Sequence, residues 1–455
     1  RENERYDNGL RFVNDGTDDV HLLNEHTNEK IPIRNNKRVK ILLSNMGDIS
    51  TRLIAAAINS TGVQAEAVPI PTQRTLRFAR NHASGKECVP SLLLLGSMLE
   101  YFASEKYEKD KIYMIFVPIT TGPCRTGQYY VYYQNLFRDL RLDNVVVFTL
   151  SADRSYSELG PSFSKIMWKS VCAADYLKDI QTVLRTCAAD RTAALEEVKL
   201  GVDDVISAVG QDEKNLIPAL KAFSDRVKKI PLKRDPEKCP KVLVVGEIYV
   251  RRDDYAVDEI IGSCADKGII AKVSGIAEWI HYTDFVQEYF LKRERTVLSP
   301  MKKVFSENTK KLMTLRLTEK WKEAREKEVK DALSGCGLVP HSPHDMKKIM
   351  NNALRFVSYE LNSEISVSSG AAATAMEEGY SGVINISPFA CLIGRVIEGL
   401  YTPYARAHKY PSISIEIDGN QLPPNIINKL NIFMLNVMRY KNNPGKADLI
   451  EYDKE

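Results

Sequence analysis

The sequence predicts an α/β protein of two doubly wound parallel-sheet domains with a helical connection and a helical insertion, and an internal repeat is the main reason. From Lys37 the chain reads KRVKILLSNMGDISTRLIAAAINSTGVQAEAVPI, and from Pro240 it reads PKVLVVGEIYVRRDDYAVDEIIGSCADKGIIAKVSGI. Each copy opens on a short apolar run, crosses a polar loop and continues with apolar residues at helical spacing before a second strand begins. Composition agrees. With 44% hydrophobic and 27% charged residues over 455 positions, the chain can bury its own core, and at about 150 residues per domain it exceeds one.

Residues 1–36 are polar and poorly patterned and read as an N-terminal arm or linker. The first domain, 37–235, starts with a strand at Val39–Leu43 and a helix carrying Ile54, Ala57 and Ile58, closed by Gly62 as a left-handed cap. Strands follow at Gln64–Val68, Lys111–Val117 and Val145–Leu150. A long helical stretch then runs from about Ser164 to Lys229, with Leu177, Ile180, Leu184 and Cys187 along one stripe. Asp235-Pro-Glu-Lys-Cys-Pro240 reads as the turn into the second domain, 236–455. There Val242–Val245 is the first strand, Val257, Ile260, Ile261 and Cys264 mark the helix, and Ile269–Val273, Gly382–Ile386 and Ser412–Ile417 are further strands. A helical insertion at about 279–335 ends in EKWKEAREKEVKDALSG, whose alternating charges read as a solvated face.

Several functional classes drop out. A formal charge of +4 is too small and too mixed in sign to point to nucleic acid or a membrane surface. No apolar run reaches 18 residues, so no membrane span is expected, and the N-terminus lacks the hydrophobic stretch of a signal peptide. Eight thinly spread cysteines suit a reducing cytoplasm better than a disulfide framework. The absence of a leading Met leads us to expect a fragment, a processed form or part of a longer chain. There is no Gly-x-Gly-x-x-Gly, phosphate loop, His-Glu-x-x-His, Cys-x-x-Cys or Gly-x-Ser-x-Gly, which argues against nucleotide hydrolysis and most metallohydrolase chemistry.

The cysteines sort by context. Cys172, Cys187 and Cys264 fall within apolar helical stretches and read as small core hydrophobes; Cys239 and Cys336 also read as structural. Cys88, Cys124 and Cys391 instead stand at helix mouths in turn-rich loops, the latter two directly after strands. That is where open α/β sheets bind ligands, and where helix N–H groups favour a thiolate. Three such thiolates would suit an iron–sulfur cluster with one iron open to substrate. From the spacing alone, a zinc site, a redox thiol or three unrelated core cysteines stay open.

Five segments narrow the choice: Lys86-Glu-Cys-Val-Pro90, Gly122-Pro-Cys-Arg-Thr-Gly-Gln-Tyr129, Gly246-Glu-Ile-Tyr-Val-Arg-Arg-Asp253, Pro388-Phe-Ala-Cys391 and Ile415-Glu-Ile-Asp-Gly419. In this order, over roughly residues 37–420, the chain resembles the 2-hydroxyacyl-CoA dehydratase superfamily. The branch it resembles accompanies or is fused to ATP-dependent activases and includes the double-cubane cluster proteins. The resemblance implies an oxygen-sensitive iron–sulfur protein with Cys88, Cys124 and Cys391 as ligands. The cofactor would be a [4Fe–4S] cluster or half of a double-cubane [8Fe–9S] cluster. It also implies a partner activase of the actin/hexokinase type, separate or fused, that drives low-potential electrons into this chain. A related subunit or a second copy would accompany it, and the substrate would be an acyl-CoA or a small molecule. A double cubane needs a second trio of thiolates, and the remaining cysteines read as mostly structural, so either a partner chain supplies that trio or the site is a single [4Fe–4S] cluster. Arg125 beside Cys124 is a candidate to neutralise the cluster or an anionic substrate, and Glu247, just past the second domain's first strand and facing the same cleft on topological grounds, is a candidate catalytic residue. Glu87, Tyr129 and Tyr130 are weaker candidates, and Glu416 and Asp418 read as turn-shaping. A non-redox ligand-binding or scaffold protein and an electron-relay subunit without its own substrate are the alternatives.

Overall fold

The computed structural model describes residues 8–14, 20–120, 122–151, 161–296, 306–340, 345–361, 363–445 and 449–450. The chain divides into two compact units. The first comprises Arg1–Val171, Asp203–Leu216 and Asp253–Tyr255; the second comprises Cys172–Val202, Ile217–Arg252 and Ala256–Glu455.

The first unit is built on four strands, β4 (Val39–Leu43), β5 (Gln64–Ala67), β6 (Ile112–Ile119) and β7 (Val145–Ser151). They pair in the order β5-β4-β6-β7, all parallel, with Val39 opposite Ile112 and Tyr113 opposite Val145. Apolar side chains on both faces explain why β4, β6 and β7 read as near-continuous hydrophobic runs, whereas the edge strand β5 (QAEA) is only partly buried. Residues 1–36, expected to be an arm, instead contain an antiparallel sheet of β1 (Leu10–Val13), β2 (His21–Asn24) and β3 (Glu29–Pro32). Leu22, Ile31 and Ile33 bury against Val39, Ile41, Val146 and Phe148 in this unit's core. Each of these strands is four residues long and carries few buried side chains, too little to register as a period. Residues 1–7 and 15–19 of the expected arm, and 297–305 of the expected insertion, lie outside the described residues.

The second unit repeats the plan with β8 (Lys241–Gly246), β9 (Ile270–Val273), β10 (Gly382–Pro388) and β11 (Ser412–Ile417). Their order is β11-β10-β8-β9, again all parallel. Its core gathers Leu243 and Val245 of β8 with Val367, Ala371 and Ala375 of the helix Glu364–Glu377 and Tyr401 and Ala405 of the helix Leu392–Ala407. Both sheets are flanked by helices, so the architecture is two doubly wound parallel-sheet units.

The domain boundary expected near residue 235 differs from the one observed. Most of the helix Pro161–Cys187 belongs to the second unit. The reason is a fully enclosed ion pair: Lys272 of β9 places its ammonium 2.6 Å from an Asp179 carboxylate oxygen on that helix. Thr186 adds a bond to the Ile269 carbonyl at 3.4 Å. Within the expected insertion, the charged helix Glu307–Ser334 is not wholly solvated. It buries Leu312, Leu315, Val329, Ala332 and Leu333, and with them Lys322, whose ammonium lies 2.6 Å from Asp284. Among the described residues no helix is long and apolar enough to cross a membrane.

Gly246 ends β8 with φ +115°, and a Cβ there would lie 2.0 Å from the Ile386 carbonyl oxygen of β10. Gly379 has φ +82° but open space around its Cβ position. We therefore expect Gly246→Ala to cost about 3 kcal/mol or more, because it adds a backbone clash to the strained φ. Gly379→Ala should cost only about 1–2 kcal/mol. Urea denaturation of both variants checks the difference, and equal losses would contradict the close approach.

Candidate functional site

Cys124, Glu247 and Cys391 lie in loops leaving the carboxyl ends of strands, whereas Cys88 lies between the helices Gln73–Arg80 and Val89–Phe102. In the first unit, Cys88 is the N-cap of the helix Val89–Phe102, and Pro90 in the first turn suits that position because its missing N–H would go unpaired there anyway. Cys124 is the N-cap of a 3-10 turn, Arg125–Gln128, that leads into the helix Tyr129–Asp139. The buried Tyr129 hydroxyl lies 2.5 Å from the Cys88 sulfur. Burial first, and then the nearby Cys88 and Cys124 thiols, push the Tyr129 phenol well above its ordinary value. Tyr129 therefore stays a neutral phenol in hydrogen-bond contact with sulfur at this corner. The Cys124 sulfur lies 3.1 Å from the Thr126 hydroxyl.

Two charged residues hold this corner in shape. Glu87 folds back so that its carboxylate accepts from the backbone N–H of Ser84, Gly85 and Lys86 at 3.0, 3.0 and 3.1 Å, and from the Ser84 hydroxyl. Slight burial works to raise its pKa, but those bonds win and hold it below the usual carboxylate value. Glu87 is thus ionised and cinches the loop before Cys88. Arg125, exposed on the surface, donates to the Lys86 carbonyl at 2.6 Å and so ties the Cys124 loop to the Cys88 loop. The stacked Tyr133 behind Tyr129 donates to the Ser91 carbonyl at 2.8 Å, joining the two helices.

In the second unit, Cys391 follows β10 and is the N-cap of the helix Leu392–Ala407. The preceding Ala390 has φ +55°, a left-handed conformation for a residue with a Cβ, and it is pinned by Glu416. That carboxylate accepts from Ala390 N–H at 3.2 Å and pairs with Arg395 at 2.7 Å. Asp418 shapes the next turn by accepting from Asn420 N–H at 2.9 Å. The expectation that helix N-termini lower all three thiol pKa values fails at Cys391. Burial pushes this thiol up to about 12, and the Glu247 and Glu364 carboxylates add to the rise. The N–H groups of Ile393 and Gly394 act in the opposite direction without overcoming it.

Glu247 sits directly after Gly246, enclosed at the carboxyl end of β8. Its N–H donates to the Ile386 carbonyl at 2.9 Å and its carboxylate accepts from Val250 N–H at 2.9 Å. The sequence reading missed its partner, Glu364, the first residue of the helix Glu364–Glu377. The Glu364 carboxylate accepts from Ile248 N–H at 2.8 Å, inside the same turn. Burial raises Glu247, and burial with the Glu247 charge raises Glu364 to about 8, while Arg251 opposes both shifts. Arg251, with no exposed surface, donates to the Gly246 carbonyl at 3.0 Å. Glu247 and Glu364 are therefore enclosed beside Arg251, which also lies 3.6 Å from the buried Glu278, and at neutral pH at least one carboxyl of the Glu247–Glu364 pair keeps its proton. A helix start at Ser363-Glu364 followed by small residues was the only sequence signal for Glu364, and it signals packing more than chemistry.

Within each unit the named residues form a corner: Cys88, Cys124, Tyr129 and Arg125 in the first, Cys391, Glu247 and Glu364 in the second. Among the described residues, no group of three or more His, Cys, Asp or Glu side chains is placed to hold a metal ion. Of the eight cysteines, Cys88, Cys124 and Cys391 are half-buried, while Cys172, Cys187, Cys239, Cys264 and Cys336 are buried.

The raised Glu364 pKa makes stability fall with pH. Folded protein holds this proton up to about pH 8, whereas an unfolded glutamate releases it near 4.3. Raising the pH through that window therefore favours unfolding. We expect the thermal midpoint of the wild-type chain to decline between about pH 5 and 8, and Glu364→Gln to flatten that decline and leave the variant at least as stable at pH 8. Parallel midpoint-against-pH curves would contradict the shared-proton arrangement. No family model matches this chain, and no curated protein matches it.

Proposed function

We propose that this chain is an oxygen-sensitive iron–sulfur reductase or dehydratase-like component. It would receive low-potential electrons from an ATP-dependent activase and pass them to an acyl-CoA or small-molecule substrate. One observation carries the reading: the three half-buried cysteines are also the three that cap helices, and the other five are buried. The order of the five motifs points the same way. Cys88 and Cys124 of the first unit and Cys391 of the second are the proposed ligands. Soft thiolate sulfur is the donor that an iron–sulfur cluster uses. The Ile393 and Gly394 N–H groups that act on the Cys391 thiol suit the negative charge such a centre carries. Five buried cysteines support one [4Fe–4S] cluster per chain over a double cubane held by this chain alone. Such a cluster, when bound, supplies one-electron chemistry.

The chain's own residues would do the rest. Tyr129 holds a proton on its hydroxyl and donates it in a hydrogen bond toward the Cys88 sulfur. Arg125 brings a fixed positive charge beside Cys124, suited to an anionic substrate group. The Glu247–Glu364 pair keeps a carboxylic acid neutral at physiological pH, the form in which it can deliver a proton. The second reading is that the two units bind a small ligand without redox chemistry.

Anaerobic reconstitution with iron and sulfide separates the two. The proposal expects a brown protein absorbing broadly near about 400 nm with about four irons per chain. Cys88→Ala, Cys124→Ala and Cys391→Ala should each lose most of that iron, while Cys172→Ala and Cys264→Ala should keep it. A colourless, iron-poor wild-type chain with native circular dichroism would overturn the redox reading and favour the second.

A further inference from the structure

Two of the buried cysteines meet. The Cys187 and Cys239 sulfurs lie 3.7 Å apart although the residues are 52 positions apart in sequence. The backbone around Cys187 is held where it is: its carbonyl accepts from Lys233 N–H at 2.9 Å, Ala189 N–H donates to the Pro231 carbonyl at 2.8 Å, and Ala188 bridges Leu232. Arg234 donates to the Thr186 carbonyl at 3.3 Å. On the Cys239 side, Asp235 closes the turn by accepting from Glu237 N–H at 3.0 Å, and Pro240 already accepts from Ile270 N–H at 2.9 Å. Two thiols in van der Waals contact, fixed on both sides by backbone hydrogen bonds within one unit, are close enough for oxidation to draw them to the roughly 2.05 Å of a disulfide.

We propose that Cys187 and Cys239 form a reversible intramolecular disulfide, made by exchange with a low-molecular-weight disulfide such as oxidised glutathione. Cys239, 6% exposed against 0% for Cys187, gives up its proton and attacks one sulfur of the small disulfide. A first small thiolate leaves and takes up a proton. Cys187 then loses its proton and attacks the Cys239 sulfur of the mixed disulfide, expelling the second small thiolate. Two protein thiols are oxidised to one S–S bond, and one small disulfide is reduced to two small thiols. The exchange is slow at neutral pH. Burial and the adjacent Cys239 push the Cys187 thiol up to about 12, Asp235 works in the same direction, and Arg234 opposes them. The bond would close a loop that holds the helices Arg191–Gln211 and Leu216–Val227, which restricts the unfolded chain and stabilises the fold.

This pair shares no residue with the proposed cluster ligands, so its test stands apart from theirs. The full chain is incubated with oxidised glutathione, remaining thiols are capped with N-ethylmaleimide, and a non-reducing digest is mapped by mass spectrometry. We expect a Cys187–Cys239 linked peptide that accumulates over hours, forms faster at pH 9 than at pH 7 and disappears with dithiothreitol. The thermal midpoint should rise by a few degrees as it forms. Cys239→Ser should give neither the linked peptide nor the oxidation-dependent rise. Recovery of Cys187 and Cys239 as separately capped thiols after prolonged oxidation at pH 9 would overturn the proposal. So would an equal midpoint rise in Cys239→Ser.

Discussion

Each unit hangs on the backbone ladder of its first strand. β4 pairs with β5 on one side and β6 on the other, and β8 does the same with β9 and β10. Buried on both faces, these strands have no solvent to satisfy their N–H and C=O groups, so the parallel ladder is obligatory and fixes where every following loop emerges. The chain winds one way from the first strand and then the other, which opens a crevice beyond the carboxyl ends of β4/β6 and of β8/β10. Cys124 follows β6, Cys391 follows β10 and Glu247 follows β8. The chemistry-bearing residues sit where the ladder leaves room.

That geometry also decides the electrostatics. A helix that starts directly after a strand offers its unpaired N–H groups to whatever caps it, and at Cys391 the Ile393 and Gly394 groups do act on the sulfur. The helix contribution is limited to its first turn, whereas removal from water penalises the thiolate as a whole. Burial wins at Cys391. At Glu87 the balance runs the other way, because the group is little buried and accepts several hydrogen bonds. The same two effects, differently weighted, leave one residue neutral and the other charged.

Much of the fold could be read from the chain because the central parallel strands run apolar almost without break, while the edge strand Ser412–Ile417 alternates buried and half-buried residues. Val39–Leu43 and Ser412–Ile417 stand at the expected residues, and the other strands of the two parallel sheets differ by a residue or two at their ends. The sorting of the cysteines could be read for a related reason: Cys187 and Cys264 lie on apolar stripes, while Cys88, Cys124 and Cys391 lie among turn residues. Other features left no such trace. The sheet β1–β3 uses strands too short to show alternation. Glu364 and Lys322 are charged residues that sequence reasoning assigns to the surface, and only the fold shows what encloses them. The unit boundary was misplaced because contacts such as Asp179 with Lys272 join residues far apart in the chain.

The Asp179–Lys272 pair has a mechanical consequence. Its two side chains are each 4% exposed, and the lysine meets both carboxylate oxygens at 2.6 and 2.8 Å. Buried pairs of this kind add little net stability, but separating them strands a charge in a dry interior at about 3–5 kcal/mol. An axial slip of the helix Pro161–Cys187 by one turn, about 5.4 Å, would do just that, whereas sliding apolar stripes over one another would cost far less. The pair therefore works as an indexing pin that admits a single axial setting of this helix on β9, so strain applied at the helix end must bend or tilt it rather than ratchet it along.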